Sequence, residues 1–185
     1  MENTVLNTML SRSSIRAYGS EKLTSDEIAL LKKAALSAPT AMNRQDQRFI
    51  FVTNEEKIAQ FEEAVMNGIT ATGNTDFAER MRSRGGKVAY GSPLIVLICA
   101  KESHYAPVDA GIAVENIALA AKSIGLDSVI LGMPSVAFTG AASDGVKKAF
   151  GFPEGFEFQI AIAVGHRAMD KEPHTWNEAH VIELA

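Results

Sequence analysis

The order of apolar patterns along this chain predicts a three-layer sandwich of the α/β or α+β class. Three observations lead there. Strand-length apolar runs alternate with segments of helical spacing. One helical segment, Asp109 to Ile124, is apolar or small on most sides, so it must be covered on most sides. Neither an internal repeat nor a polar linker divides the 185 residues, so residues 1–185 read as one domain.

Each element has its own signal. Asn3 caps a first short helix in which Val5, Leu6, Met9 and Leu10 follow helical spacing. The polar stretch Ser11–Tyr18 interrupts it. Thr24 and Glu27 form a capping box for a second helix, which turns Ile28, Leu31, Ala34 and Ala35 inward and stops near Pro39. A long polar connection, Ser37–Gln47, has no hairpin signature, leaves scope for function, and leads into a strand over Arg48–Thr53. Thr53 and Glu56 repeat the capping pattern ahead of a helix through Ile58, Phe61 and Val65. Weak patterning and many cations mark Asn67–Gly91 as a mobile helix or lid. Leu94–Ala100 is an unbroken apolar strand holding the sole cysteine, Cys99, which reads as a buried thiol. Gly125 ends the Asp109–Ile124 helix. Asp127–Gly132 is then a short strand, Gly145–Phe150 a helix, Phe156–Gly165 a long strand, and Val181–Leu184 a terminal edge strand.

Composition narrows the function. A net charge of −4 argues against a nucleic-acid or membrane-surface partner, both of which need a basic face. One cysteine excludes an intramolecular disulfide and a cysteine-rich metal site, and no two of the four histidines stand at i, i+4 spacing. Gly85-Gly86-Lys87 is no phosphate loop, because Met81 stands where its first glycine belongs and Val88 replaces the hydroxyl residue. The dinucleotide glycine fingerprint and the nucleophile elbow of serine hydrolases are both missing. No apolar run approaches a membrane span, and the amino terminus lacks the basic-then-apolar order of a signal peptide, so a cytoplasmic location is expected.

What remains is Arg12-Ser13-Ser14-Ile15-Arg16. Two guanidinium groups four residues apart, with hydroxyls between, share a face if the segment is a helical turn. Such a face suits a phosphate or a developing anion, because arginine offers permanently charged, bidentate bonds. A solvated basic turn is the plainer reading of these residues taken alone.

Ser11-Arg12-Ser13-Ser14-Ile15-Arg16-Ala17-Tyr18, then Ala38-Pro39-Thr40-Ala41-Met42-Asn43-Arg44-Gln45, then Gly125-Leu126-Asp127-Ser128 through Leu131-Gly132, resemble the nitroreductase family of flavoproteins in order and separation. Tyr90-Gly91-Ser92-Pro93 ahead of the apolar strand fits as well. The resemblance implies an α+β, three-layer α/β/α sandwich with a mainly antiparallel central sheet. It also implies a homodimer with FMN at the subunit interface. NADH or NADPH would donate hydride, and nitroaromatic or quinone acceptors would take the electrons in a ping-pong cycle. The alternative is a flavin-binding protein that stores or senses FMN without turnover.

Position by position, the resemblance puts Arg12 on the FMN phosphate and Ser14, with Ser13, on phosphate or ribityl hydroxyls. Arg16 reaches the ribityl chain and the N1/O2 edge of the ring, where a fixed cation favours the reduced flavin. Pro39, Thr40, Asn43 and Gln45 come from the partner subunit, the Asn43 amide offering donors and an acceptor to the pyrimidine edge. Leu131-Gly132 passes behind the ring, where a side chain at 132 would collide with it; a plain strand-end glycine is the competing reading. No side chain need act as nucleophile or base.

Two features depart from the family pattern. Asp46-Gln47 stands where Pro-Trp is common, and the carboxy-terminal Pro-Lys-x-Arg phosphate clamp is missing. Lys171 and His174 are the best substitutes, with Arg167 behind them, and a solvated tail is the competing reading.

Overall fold

A computed structural model describes residues 3–83 and 85–184. Its helices are α1 (Thr4–Ser11), α2 (Ser25–Leu36), α3 (Glu55–Ala71), α4 (Thr75–Ser83), α5 (Ala106–Ser123) and α6 (Ser143–Ala149). The strands are β1 (Gln47–Val52), β2 (Leu94–Lys101), β3 (Asp127–Leu131) and β4 (Phe156–Gly165). Short 3-10 turns occur at Ala41–Asn43, Met133–Phe138 and Glu178–His180. The strands form one sheet in the order β1-β2-β4-β3, antiparallel throughout, which places β1 and β3 at the edges.

Alternation along β2 explains why the sheet needs cover on both faces. Ile95 and Leu97 join Phe61, Val65 and Ile69 of α3 and Met81 of α4 on one side. Leu94, Val96 and Ile98 join Leu31 and Ala35 of α2 and Ile117, Ala118 and Ala121 of α5 on the other. The continuous apolar run of β2 is therefore buried throughout, and Cys99 is buried within it. The three-layer α+β sandwich is the fold observed.

Several local readings are corrected. The α3 cap is Asn54, whose Oδ1 accepts the Lys57 N–H at 2.9 Å; the cap was expected one residue earlier at Thr53. The Asn67–Gly91 stretch is helical for much of its length: α3 continues to Ala71, and α4 anchors itself through buried Ala78 and Met81. Few apolar residues suffice there because they recur at i, i+3. α5 starts earlier than Asp109, since Pro107 in its first turn needs no hydrogen-bonded N–H. Val181–Leu184 joins no ladder. The chain leaves β4 alongside residues 13–19, so this segment meets neither sheet edge and stands with Val181, Ile182 and Leu184 exposed. Among the described residues no helix is long and apolar enough to cross a membrane.

Candidate functional site

α1 ends at Arg12, whose N–H still bonds the Thr8 carbonyl while its φ and ψ, −69° and 134°, turn the chain extended. Residues 12–16 are therefore not a helical turn. The shared face survives for another reason: in extended backbone alternate residues lie on one side, so Arg12, Ser14 and Arg16 line up while Ser13 and Ile15 turn inward. Ile15 is fully buried and Ser13 nearly so. Ser14 bridges Ser128 of β3 in parallel, and the Ile15 N–H donates to the Ser128 carbonyl at 3.1 Å. The parallel sense orders the row: Arg12 lies toward the start of β3 and Arg16 toward Gly132. At about 3.3 Å per residue the two arginines stand about 13 Å apart along it.

On its other side the segment is held by the tail. Gly19 donates to the His166 carbonyl and Ala168 to the Ala17 carbonyl. The Arg16 N–H donates to Met169 Sδ at 3.3 Å, and Ser13 Oγ donates to the Lys171 carbonyl at 3.1 Å. Lys171 is thus seated beside Ser13, whereas His174 lies further along an exposed tail. Arg167 is committed elsewhere. Its Nε meets buried Asp127 at 3.0 Å, and Lys122 approaches the same carboxylate at 3.1 Å. Arg12 makes one loose ion pair, Nε to Glu115 Oε1 at 3.6 Å, which leaves its outer donors available. Arg16 is exposed, with no carboxylate in ion-pair range among the described residues.

The loop before β1 forms a second constellation. Met42, Asn43 and Gln45 all hold φ near +52°, a conformation costing on the order of 1 kcal/mol each and kept only where neighbours enforce it. Asp109 of α5 accepts the Ala41 N–H at 3.1 Å, Thr40 Oγ1 accepts the Gln45 N–H at 3.0 Å, and Gln45 Nε2 donates to Asn43 Oδ1 at 2.8 Å. Pro39 is exposed just ahead of them. Thr40 and Gln45 line a cavity of about 410 Å³ together with Lys32, Leu36, Phe49 and Phe51. No residue of 12–16 lines that cavity. One chain does not join the two constellations there.

The third piece is the end of β3. Leu131 is buried, so only its main chain faces outward, and Gly132 has φ −85° with nothing within 4 Å of an added Cβ. Gly68 and Gly165 differ: a Cβ there would meet the Val136 carbonyl at 2.5 Å or Pro93 Cδ at 2.6 Å. Packing within the chain requires glycine at those two positions and not at Gly132, whose open side leaves room for a flat group against the strand end.

Sequence reading gave no role to three residues that brace these segments. Asp109 registered only as a helix start, Met169 only as part of the tail, and Glu115 not at all. Gln47 is buried with neither side-chain polar atom bonded, at a cost of about 1–3 kcal/mol per atom. Asp46-Gln47 was noted as a departure from the resemblance, but the burial of Gln47 was not expected. Other perturbed groups stand apart from the site. Burial pushes the Cys99 thiol up to about 11 and keeps it inert. Burial also raises the Tyr18 phenol, whose hydroxyl donates to the Ala163 carbonyl.

Fold and site together define a class: a three-layer α+β protein with a row of cations beside an edge strand and an open glycine at that strand's end. The chain belongs to the nitroreductase family, whose family model matches residues 9–166. It is similar to a nitroreductase with bound FMN from Desulfitobacterium hafniense, at 30% identity and a TM-score of 0.92 over 100% of both chains. It is 27% identical over 174 residues to an Archaeoglobus fulgidus protein provisionally named NADH dehydrogenase/NAD(P)H nitroreductase, covering 90% of this chain and 87% of that one. An NADPH-flavin oxidoreductase of Vibrio harveyi is 25% identical over 97% of this chain and 72% of its own.

Proposed function

We propose that this protein is an FMN-dependent oxidoreductase that takes electrons from NADH or NADPH and passes them to nitroaromatic, quinone or similar acceptors. The observation that supports the reading is the parallel Ser14–Ser128 bridge, which sets Arg12 and Arg16 at opposite ends of one extended row, as a phosphate and a ring would require. Arg12 and Ser14 hold the phosphate and ribityl hydroxyls. Lys171, seated beside Ser13, takes the place of the missing carboxy-terminal clamp, with His174 further out. Arg16 stands toward Gly132, where its fixed charge stabilises negative charge on the pyrimidine edge of the ring. Gly132 keeps that end open, and Leu131 supplies the wall behind it. When bound, FMN supplies a two-electron carrier that both substrates reach in turn, the ping-pong order. The chain's own side chains bind, orient and tune; none acts as nucleophile or base.

The site is completed by a second copy of the chain, whose Pro39, Thr40, Asn43 and Gln45 cover the flavin. Three features support the homodimer. α1 buries none of its residues and exposes Val5, Leu6, Met9 and Leu10. α5 exposes Val108 and Ile112 next to Asp109, the anchor of that loop. The tail exposes Trp176, Val181, Ile182 and Leu184. Apolar surface on this scale is what a second subunit covers.

The test is an absorbance spectrum of FMN-loaded protein under nitrogen. NADH or NADPH should bleach the flavin band, and a quinone should restore it. A band that persists with either nucleotide points to storage or sensing. Protein that stays colourless with excess FMN overturns the reading altogether.

A further inference from the structure

Extending the antiparallel pairing of Tyr18 with Arg167 by two residues sets Arg16 opposite Met169. Ala168 and Ala17 keep the main-chain bond of the intervening rung, at 2.9 Å. Bonded and unbonded pairs alternate along such a ladder, so Arg16–Met169 is a rung without main-chain bonds. There the Arg16 N–H donates to the thioether of half-buried Met169 at 3.3 Å, a short contact for a sulfur acceptor. On the opposite side Ile15 is fixed to Ser128. The backbone at Arg16 is therefore clamped between a rigid strand and one soft, polarisable side chain.

We propose that Met169 is a positioning residue: through its sulfur it fixes the main chain of Arg16, and so the aim of the guanidinium that tunes the flavin. This deepens the flavin reading and rests on it. The contact is chain-specific chemistry. Leucine fills nearly the same volume but accepts no hydrogen bond, while glutamine presents a carbonyl oxygen on a stem of similar length. Geometry links sulfur and cation through one residue, so loss of the bond frees the arginine without removing any group that touches FMN.

The experiment compares wild type with Met169→Leu, Met169→Gln and Arg16→Ala as FMN-loaded proteins, measuring FMN dissociation constant and the reduction potential of bound flavin. Met169→Leu should weaken FMN about two-fold, the equivalent of a hydrogen bond at the weak end of the ordinary range, and lower the potential. Met169→Gln should return both toward wild type. Arg16→Ala combined with Met169→Leu should fall no lower in potential than Arg16→Ala alone. A leucine variant that loses thermal stability yet keeps the wild-type potential assigns Met169 to packing only and overturns the proposal. So does a double variant whose shifts add. An unchanged potential in Arg16→Ala sinks the flavin role of Arg16 itself, a separate failure visible before Met169 is considered. Hydrogen exchange at the Arg16 amide of the unmodified protein gives an answer even if the leucine variant does not fold. Protection supports the bond, and exchange at the free-peptide rate refutes it.

Discussion

At the scale of single residues, the two arginines differ in what they can do. Arg12 already shares its Nε with Glu115, while Arg16 stands exposed with no carboxylate in ion-pair range among the described residues. Arg16→Ala is expected to weaken FMN binding and lower the potential of the bound flavin, measured by equilibrium with reference dyes. Gly132 supplies a complementary test. A Cβ there meets nothing within 4 Å, so Gly132→Val should cost little in melting temperature yet reduce FMN affinity at least ten-fold, read by flavin fluorescence titration. Equal affinity in the variant would place the ring elsewhere. Gly132 is also where sequence reading stopped short, because strand-end glycines and ligand-facing glycines are written alike. The open space around its missing Cβ is compatible with both, so the affinity of the valine variant decides between them.

At the scale of elements, most of the fold was legible and the reasons are physical. Thr24 and Glu27 make the capping box that their spacing announced, with Thr24 accepting the Glu27 N–H at 3.2 Å. β2 was readable because a strand covered on both faces must be apolar throughout. The segment 12–16 was not, since its extended form is imposed by β3 and the tail, partners far away in sequence. The same holds for α4, whose two buried residues leave a faint pattern. α3 yields a pH prediction. Glu62 is half-buried, and burial raises its carboxyl above the ordinary range despite the Ala89 N–H and the charge of Lys87. A raised folded-state value means the ionised form opposes folding. That penalty grows as pH rises from below about 4.5 through the folded-state value. Glu62→Gln should therefore melt higher than wild type at neutral pH, with the gain fading at acid pH; a gain independent of pH would contradict this.

At the scale of the whole molecule, the proposed function gives one chain two half-sites. Residues 12–16 with Lys171 form one, and the strained loop Thr40–Gln45 anchored by Asp109 forms the other, lining a cavity that the first does not share. Order along the chain pointed to both segments; in the proposed dimer they meet only across two copies, about which apolar patterning says only that surface is left to cover. Removing residues 172–185 should accordingly weaken self-association, shifting the sedimentation profile toward single chains at micromolar concentration. The most direct measurement follows flavin and protein absorption together during sedimentation of the FMN-loaded protein. All bound flavin should travel with a two-chain particle, one FMN per chain. Flavin travelling with a single-chain particle would contradict it.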